Sequence, residues 1–169
     1  MAVLPIILVS DHNDLLTTKA HRVPRVDDAI RRLMDDMVES MFDANGVGLA
    51  APQVGVSLRV IVLRVDNQIY QVANPEMVRC EGDQTGLEGC LSVPGWVGEV
   101  TRCQRVVAKG LNRRGKEIRI KGDGLLARAI QHEIDHLDGI LFTSRVNEGT
   151  LREVESAKEA EEPGVVSAV

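Results

Sequence analysis

Aromatic side chains and long apolar runs are both scarce in this chain of 169 residues. The whole sequence holds two Phe, one Trp and one Tyr, which argues against a nucleic-acid platform of stacked rings. The core must therefore come from aliphatic side chains and methionine. No apolar run reaches the roughly 18 residues that a membrane span needs. The apolar start, MAVLPIILVS, lacks the basic segment of a secretory signal peptide.

Positive charge is also in deficit, because 20 Lys and Arg face 25 Asp and Glu, giving a net charge of −5. This sign opposes a general phosphate-binding surface, so we expect neither DNA nor a membrane as a partner. Three cysteines without a secretory signal are typical of a reducing compartment. We therefore expect a cytoplasmic protein with free or metal-bound thiols, in which Cys80 and Cys103 are small apolar residues.

Helical and strand periodicities alternate along the rest of the chain. A stripe of Ile30, Met34, Met37 and Met41 predicts a core-facing helix between Pro24 and the Asn45-Gly46 stop signal. A second helix is expected over 125–137. The segments 57–63 with 69–73, and 105–111 with 117–120, predict two hairpins. The Gly- and Pro-rich stretch 85–96 between the hairpins is interpreted as a loop or irregular strand.

The most informative segment is QHEIDHLDG at 131–139. On a helix, His132 and His136 lie about 40° apart and can reach one metal ion, while Glu133 is offset toward a metal-bound water. Leu125 and Ala129 fall on the same side as the histidines.

Two histidines leave the metal short of a protein ligand, and the choice of the third ligand separates the hypotheses. Three hypotheses remain once a metzincin is excluded. A metzincin continuation fails because Phe142 stands where that motif needs a histidine. An endopeptidase could recruit a glutamate from the polar tail, whereas Cys90, framed by glycine in LEGCLSVPG, would give a Cys-His-His site with one open position. A non-catalytic protein with a closed structural metal is the third hypothesis. The tail candidates are Glu148, Glu153 and Glu155.

Three motifs in one order resemble the bacterial-type peptide deformylases: GVGLAAPQVG at 46–55, EGCLSVPG at 88–95 and QHEIDHLDG at 131–139. The resemblance extends more loosely over 7–146. It implies an α+β fold, in which antiparallel sheets surround a central metal-binding helix, with an N-terminal helix and a C-terminal tail helix. It also implies metal-dependent hydrolysis of the formyl group from N-terminal formylmethionine, with release of formate.

The resemblance assigns a role to each motif position. The implied metal ligands are Cys90, His132 and His136, holding ferrous iron in the cell, with zinc, nickel or cobalt able to replace it. Glu133 resembles the general acid/base. The side chain of Gln53 and the backbone N–H of Leu91 resemble the oxyanion donors. The substrate-binding positions are Val47 and Gly48, to which the helix geometry adds Leu125 and Ala129.

The organisation that follows is a single catalytic domain over 1–147 and an acidic, partly helical tail over 148–169. Thr150 and Glu153 would form the capping box of a tail helix. Nascent formylmethionyl peptides are the expected partners, whereas the acidic tail does not favour docking on the ribosome.

Two departures from a simple pattern lead to further expectations. Arg128 points toward the site, where its stem is expected to line the methionine pocket and its head to reach solvent. Glu88 and Arg102 are expected to pair and to brace the Cys90 loop.

Overall fold

A computed structural model describes residues 2–154 and 165–166. The described part of the chain forms three α-helices and nine strands. The helices are α1 (Val9–Leu16), α2 (Asp28–Asp43) and α3 (Leu125–Leu137). The strands are β1 (Gly48–Ala50), β2 (Val60–Val65), β3 (Gln68–Glu81), β4 (Gln84–Cys90), β5 (Val93–Arg102), β6 (Arg105–Leu111), β7 (Glu117–Asp123), β8 (Arg152–Glu153) and β9 (Val165–Val166).

Helix α2 confirms the predicted methionine stripe, since Met34, Met37 and Met41 are fully buried against β1 and β2. The helix begins later than Pro24 because the Asp27 side chain accepts a hydrogen bond from the N–H of Ile30 at 3.0 Å and so caps the first turn. Helix α1 was not predicted from the sequence. Most of its side chains are polar and only Leu16 is buried, so it lacks the apolar stripe by which a helix is recognised.

The larger sheet has five antiparallel strands in the order β1-β2-β3-β6-β7. It contains both predicted hairpins. Strand β3 runs beyond the predicted Ala73 through two register irregularities, of which the first, between Ala73 and Glu76, accommodates Pro75 within the strand. Strand β1, only three residues long, forms one edge of this sheet.

The smaller sheet has the order β8-β5-β4-β9, with β4 and β5 antiparallel and β9 parallel to β4. Of the two interpretations of 85–96, the loop was wrong and the irregular strand is closer, because β4 and β5 pair from Gln84–Arg102 to Gly89–Val97 and shift register between Gly89 and Cys90. Some of the glycines here mark close packing rather than turns. A Cβ at Gly98 would lie 2.6 Å from a methyl group of Val146.

Helix α3 lies at the centre and contacts strands of both sheets. Its apolar side packs into a core cluster with β2, β6 and β7 through Ala127, Ile130 and Leu137. The predicted α+β class, with sheets around a central motif helix, is therefore confirmed. None of the described helices is long and apolar enough to cross a membrane.

Two expectations about the periphery fail. The tail helix does not start at the predicted capping box, because Arg152–Glu153 pairs with β5 as strand β8, and Thr150 instead accepts from the N–H of Glu99. Residues 155–164 lie outside the described part, and the division at residue 147 stays a prediction.

Cys80 and Cys103 are not free, since they form a disulfide with a Cα–Cα distance of 5.6 Å. The prediction of free thiols was wrong because a separation of 23 residues in the sequence does not indicate that two cysteines lie close together in the fold.

Candidate metal centre

The three predicted metal ligands come from the two elements that meet at the centre of the molecule. Cys90 is the last residue of β4, and His132 and His136 lie one turn apart on α3. The Cys90 Sγ lies 3.3 Å from Nε2 of His136, which lies 3.2 Å from Nε2 of His132. All three ligand atoms lie within 4.8 Å of one another, and all three side chains are buried. Such a convergence of sulfur and ring nitrogens fits a single divalent metal ion.

The protonation chemistry of these groups also fits a metal site. Burial lowers the pKa of His136, so its imidazole is neutral and able to ligate. Burial raises the pKa of Cys90 to about 12, against hydrogen bonds from the Ser92 and Val93 backbone. A bound cation reverses this preference and stabilises the thiolate. The buried Nδ1 of His136 has no hydrogen-bond partner among the described residues.

Glu88 fixes the orientation of His132. Its Oε1 lies 2.8 Å from Nδ1 of His132, and because a carboxylate only accepts, Nδ1 carries the proton and Nε2 faces the other two ligands. Arg102 donates from Nε and Nη2 to the same carboxylate at 2.9 and 2.8 Å, which confirms the predicted pair. Burial alone would raise the pKa of Glu88, but the hydrogen bonds from Arg102 and His132 outweigh it and hold the pKa well below its usual range.

Arg128 does not reach solvent as expected. Its side chain is 3% exposed, and its guanidinium donates to Glu88 and to the carbonyl of Val100. An arginine on a central helix need not extend its charge to water when a buried carboxylate lies within reach, and here Glu88 pairs with Arg128.

Glu133 is fully buried, and neither of its carboxylate oxygens has a hydrogen-bond partner within the described part of the chain. Burial, reinforced by the charge of Glu88, raises its pKa well above the usual value. The carboxylate lies against Gly48, where an added Cβ would come within 2.8 Å of Oε1. The first motif therefore needs a glycine at this position for a reason that the sequence did not reveal.

Gln53 and Leu91 flank the same centre. Gln53 is buried in a short 3-10 helix at Ala51–Val54, and its Nε2 lies 3.6 Å from Cys90 Sγ and 3.2 Å from Ser92 Oγ. Its Oε1 accepts from the N–H of Ala50 at 3.0 Å, which leaves the amide nitrogen facing the site. Leu91 directly follows Cys90 and is half-buried. Sequence reasoning missed Ser92, since a serine in a Gly- and Pro-rich motif reads as an ordinary turn residue.

The predicted substrate-binding side chains lie in different environments. Leu125, at the start of α3, is 43% exposed, and Val47 is half-buried just before β1. Ala129 is fully buried and packs into the cluster around Ala50 and Leu63. Glu148 and Glu153 are exposed and do not join the metal-ligand cluster, while Glu155 lies outside the described residues.

The arrangement places a Cys-His-His ligand set beside an unpartnered carboxylate, all on or against one helix that carries an H-E-x-x-H motif. Fold and site together define a metal-dependent hydrolase of the H-E-x-x-H class.

Comparison with known proteins specifies the family. The sequence model of the family described as Polypeptide deformylase matches residues 4–152. The peptide deformylase of Pelotomaculum thermopropionicum is 51% identical over 145 residues, which cover 86% of this chain and 92% of the relative. That of Symbiobacterium thermophilum is 49% identical over 172 residues, covering 100% of this chain and 77% of the relative. The chain therefore belongs to the peptide deformylase family, and it removes the formyl group from N-terminal methionine in a metal-dependent reaction.

Solved structures agree with this assignment. The crystal structure of the Thermotoga maritima peptide deformylase superimposes with a TM-score of 0.83 at 36% identity, covering 87% of this chain and 99% of that one. The structure from Legionella pneumophila gives a TM-score of 0.81 at 42% identity, with coverages of 87% and 88%.

Proposed function

We propose that Cys90, His132 and His136 hold one divalent metal ion and that Glu133 is the general acid/base of deformylation. The convergence of the three ligand atoms within 4.8 Å is the observation that carries this proposal. A thiolate with two neutral imidazoles suits late first-row metals better than Mg²⁺ or Ca²⁺. Ferrous iron is the ion proposed for the cell, with zinc, nickel or cobalt able to occupy the site in purified protein. When bound, the ion polarises the formyl carbonyl and lowers the pKa of water.

Glu133 moves the protons. Among the described residues, no group hydrogen-bonds to its two buried oxygens, so both are available to accept from the attacking water. The same carboxyl group then delivers the proton to the leaving amine, so the group ends the cycle in its starting state. Gly48 supports this role because only a residue without a Cβ leaves space for Oε1.

Gln53 and the N–H of Leu91 are proposed to stabilise the oxygen of the formyl group as it becomes negative. The support for Gln53 is its fixed amide, since the N–H of Ala50 occupies Oε1 and leaves Nε2 near the ligand Cys90. Buried donors of this kind act in a medium of low polarity, and losing one costs about 3 kcal/mol of transition-state stabilisation.

Strand β1 is proposed as the docking edge for the substrate. It is the terminal strand of the larger sheet, and it carries Gly48 directly beside Glu133. An extended peptide pairing with this edge is recognised by its main chain, so residues after the first contribute little to selectivity. Val47, Leu125 and Ala129 are proposed to surround the methionine side chain, with the exposed Leu125 at the mouth and the buried Ala129 at the floor.

The substrates proposed are nascent formylmethionyl polypeptides, in the compartment where they are made, which for a bacterial-type chain is the cytoplasm. Docking on the ribosome is not proposed, because the tail that would mediate it is acidic. The catalytic domain is proposed to cover 1–147, with 148–169 as an appended tail.

Formate release from a formyl-Met peptide, by anaerobically purified protein with its metal quantified, tests the proposal. Cys90→Ala should lose both the metal and the activity, whereas the matched tail variant Glu148→Gln should keep both. A full metal complement in Cys90→Ala would refute the ligand set. Loss of metal in Glu148→Gln would instead favour an endopeptidase-like site with a tail ligand.

A further inference from the structure

Arg128 contacts the metal centre only indirectly. It lies on α3 one turn before His132, and its side chain is 3% exposed. Its Nη1 donates both to Oε2 of Glu88 and to the carbonyl of Val100, the latter at 3.0 Å. A guanidinium is retained in such a buried place only when it is well paired, because its desolvation is costly.

The two oxygens of Glu88 have different partners on the same helix. Oε1 accepts from His132, and Oε2 accepts from Arg128, which is four residues earlier on α3. Arg102 donates to both oxygens from β5. Arg128 and His132 therefore hold one carboxylate between two successive turns of α3, and Arg102 adds an indirect link to the same helix, because its Nη1 donates to Oδ2 of Asp135 at 2.6 Å.

The carboxylate in turn belongs to the strand that ends in Cys90. Glu88 and Cys90 are two residues apart on β4, and both side chains reach α3, Glu88 Oε1 at 2.8 Å from Nδ1 of His132 and Cys90 Sγ at 3.3 Å from Nε2 of His136. Fixing Glu88 against α3 therefore also fixes how far the Cys90 sulfur stands from the two histidines of that helix.

We propose that Arg128 is a positioning residue that, through Glu88, aligns strand β4 with helix α3 so that Cys90 meets His132 and His136 at the spacing a metal ion needs. The inference rests on the ligand set proposed above. The local charges are consistent with this arrangement, since the buried Glu88 and Asp135 balance the buried Arg102 and Arg128. Arg145 contributes a further positive charge but is 45% exposed.

The test compares Arg128→Met with Arg145→Met in the full-length protein. Arg145 provides a matched control because it belongs to the same network, but within the described part of the chain its guanidinium hydrogen-bonds only to Asp135, from Nε and Nη2 at 2.5 and 3.0 Å. Each variant is stripped of metal, and its dissociation constant for Co²⁺ is measured by competition with a chromophoric chelator. Thermal unfolding of the metal-free forms is recorded separately, so that loss of metal affinity is distinguished from loss of stability.

Arg128→Met should weaken Co²⁺ binding about 10- to 100-fold, the usual effect of removing a group that orients metal ligands. Arg145→Met should bind within about two-fold of the wild type, because it removes only a partly exposed ion pair. Wild-type affinity in Arg128→Met would overturn the proposal, and so would an equal loss in both variants.

A charge-preserving variant covers the case in which Arg128→Met does not fold. The single ammonium of Arg128→Lys cannot reproduce the planar donor set of a guanidinium, so a several-fold loss of Co²⁺ affinity is expected. Unchanged affinity in Arg128→Lys would then overturn the proposal. The ligand set is tested independently by the thiolate-to-Co²⁺ absorption of the wild type. Absence of that absorption would refute the proposed function itself, whatever the arginine variants do.

Discussion

The carboxylate of Glu133 is a buried charge-bearing group whose two oxygens have no hydrogen-bond partner among the described residues. Leaving such a group unpaired costs free energy, and a stable fold tolerates the cost where the group has a functional use. The neighbouring Glu88 shows the contrast, since it is equally buried but accepts hydrogen bonds from two arginines and a histidine. The Glu88 carboxylate is therefore held in position by its partners, whereas the Glu133 carboxyl group is the one that we propose exchanges protons.

Replacing Glu133 by glutamine should separate metal binding from turnover. We expect Glu133→Gln to keep its metal and to lose about 10²- to 10⁴-fold in kcat, because an amide cannot accept the proton of the attacking water. Formate release and metal content measured on the same sample check this. The exposed Glu99→Gln provides the control, and activity in Glu133→Gln close to that of the control would show that the base is misassigned.

Gly48→Ala should impair the same proton transfer, in this case by displacing the Glu133 side chain. The new methyl group would lie 2.8 Å from Oε1, 3.0 Å from Cγ and 3.1 Å from Cδ of Glu133, so the carboxylate must move. We expect a fall in kcat of at least about ten-fold with full metal content, since small displacements of a catalytic group have effects of this size. A kcat equal to that of the wild type in Gly48→Ala would show that turnover does not depend on the present position of the Glu133 carboxylate.

At the scale of elements, the N-terminal segment joins the two stretches that carry the proposed oxyanion donors. The N–H of Ile7 donates to the carbonyl of Gln53 at 2.7 Å, and the N–H of Val9 donates to the carbonyl of Ser92 at 2.9 Å. A single short stretch of chain therefore fixes Gln53 and the residue after Leu91 with respect to each other.

Val9→Pro removes one of these donors and also changes a side chain that packs against the cluster of Cys90 and Phe142, a change that Val9→Ala shares. Val9 is the first residue of α1, a position where proline is tolerated, and Leu8 already has the extended backbone (φ −99°, ψ 145°) that precedes a proline. Losing one hydrogen bond of about 1 kcal/mol should lower kcat/KM roughly five-fold. Val9→Ala keeps the N–H and should retain activity. Equal activities in the two variants, measured by formate release, would show that this contact does not position the donors.

At the scale of the whole molecule, the Cys80–Cys103 disulfide links β3 to the connection between β5 and β6. Cys103 also exchanges two backbone hydrogen bonds with the side chain of Gln131, the residue before His132, at 2.9 and 3.0 Å. The crosslink therefore lies on the side of α3 that faces β3, and it involves neither Cys90 nor the proposed chemistry.

Removing the crosslink should affect stability and not metal binding. Closing a loop of 23 residues stabilises a fold by about 3 kcal/mol through the reduced entropy of the unfolded chain. We expect Cys103→Ala to lower the free energy of unfolding in urea by up to that amount and to retain its metal. A reductant should lower the stability of the wild type but leave Cys103→Ala unchanged. An equal response of both proteins to the reductant would show that the disulfide is not formed in solution.

The sequence predicted the parts of this molecule that depend on local pattern. The methionine stripe of α2 and the spacing of His132 and His136 on α3 follow from helical periodicity, and both are present. The motif order also identified Cys90, which lies far away in the sequence. The disulfide and the partners of Arg128 depend on contacts between distant segments, which no local pattern encodes. The glycines of β4 and β5 indicated turns in the sequence, because glycine is favoured both in turns and where two segments pack closely together.

The brevity of strand β1 has a consequence for how widely the enzyme can act. At the docking edge proposed above, three residues offer main-chain pairing to only a few positions of an incoming polypeptide, so the residues after them stay in solvent. On this proposal, one enzyme molecule can process the N-termini of many unrelated proteins, because it contacts only the end that they share.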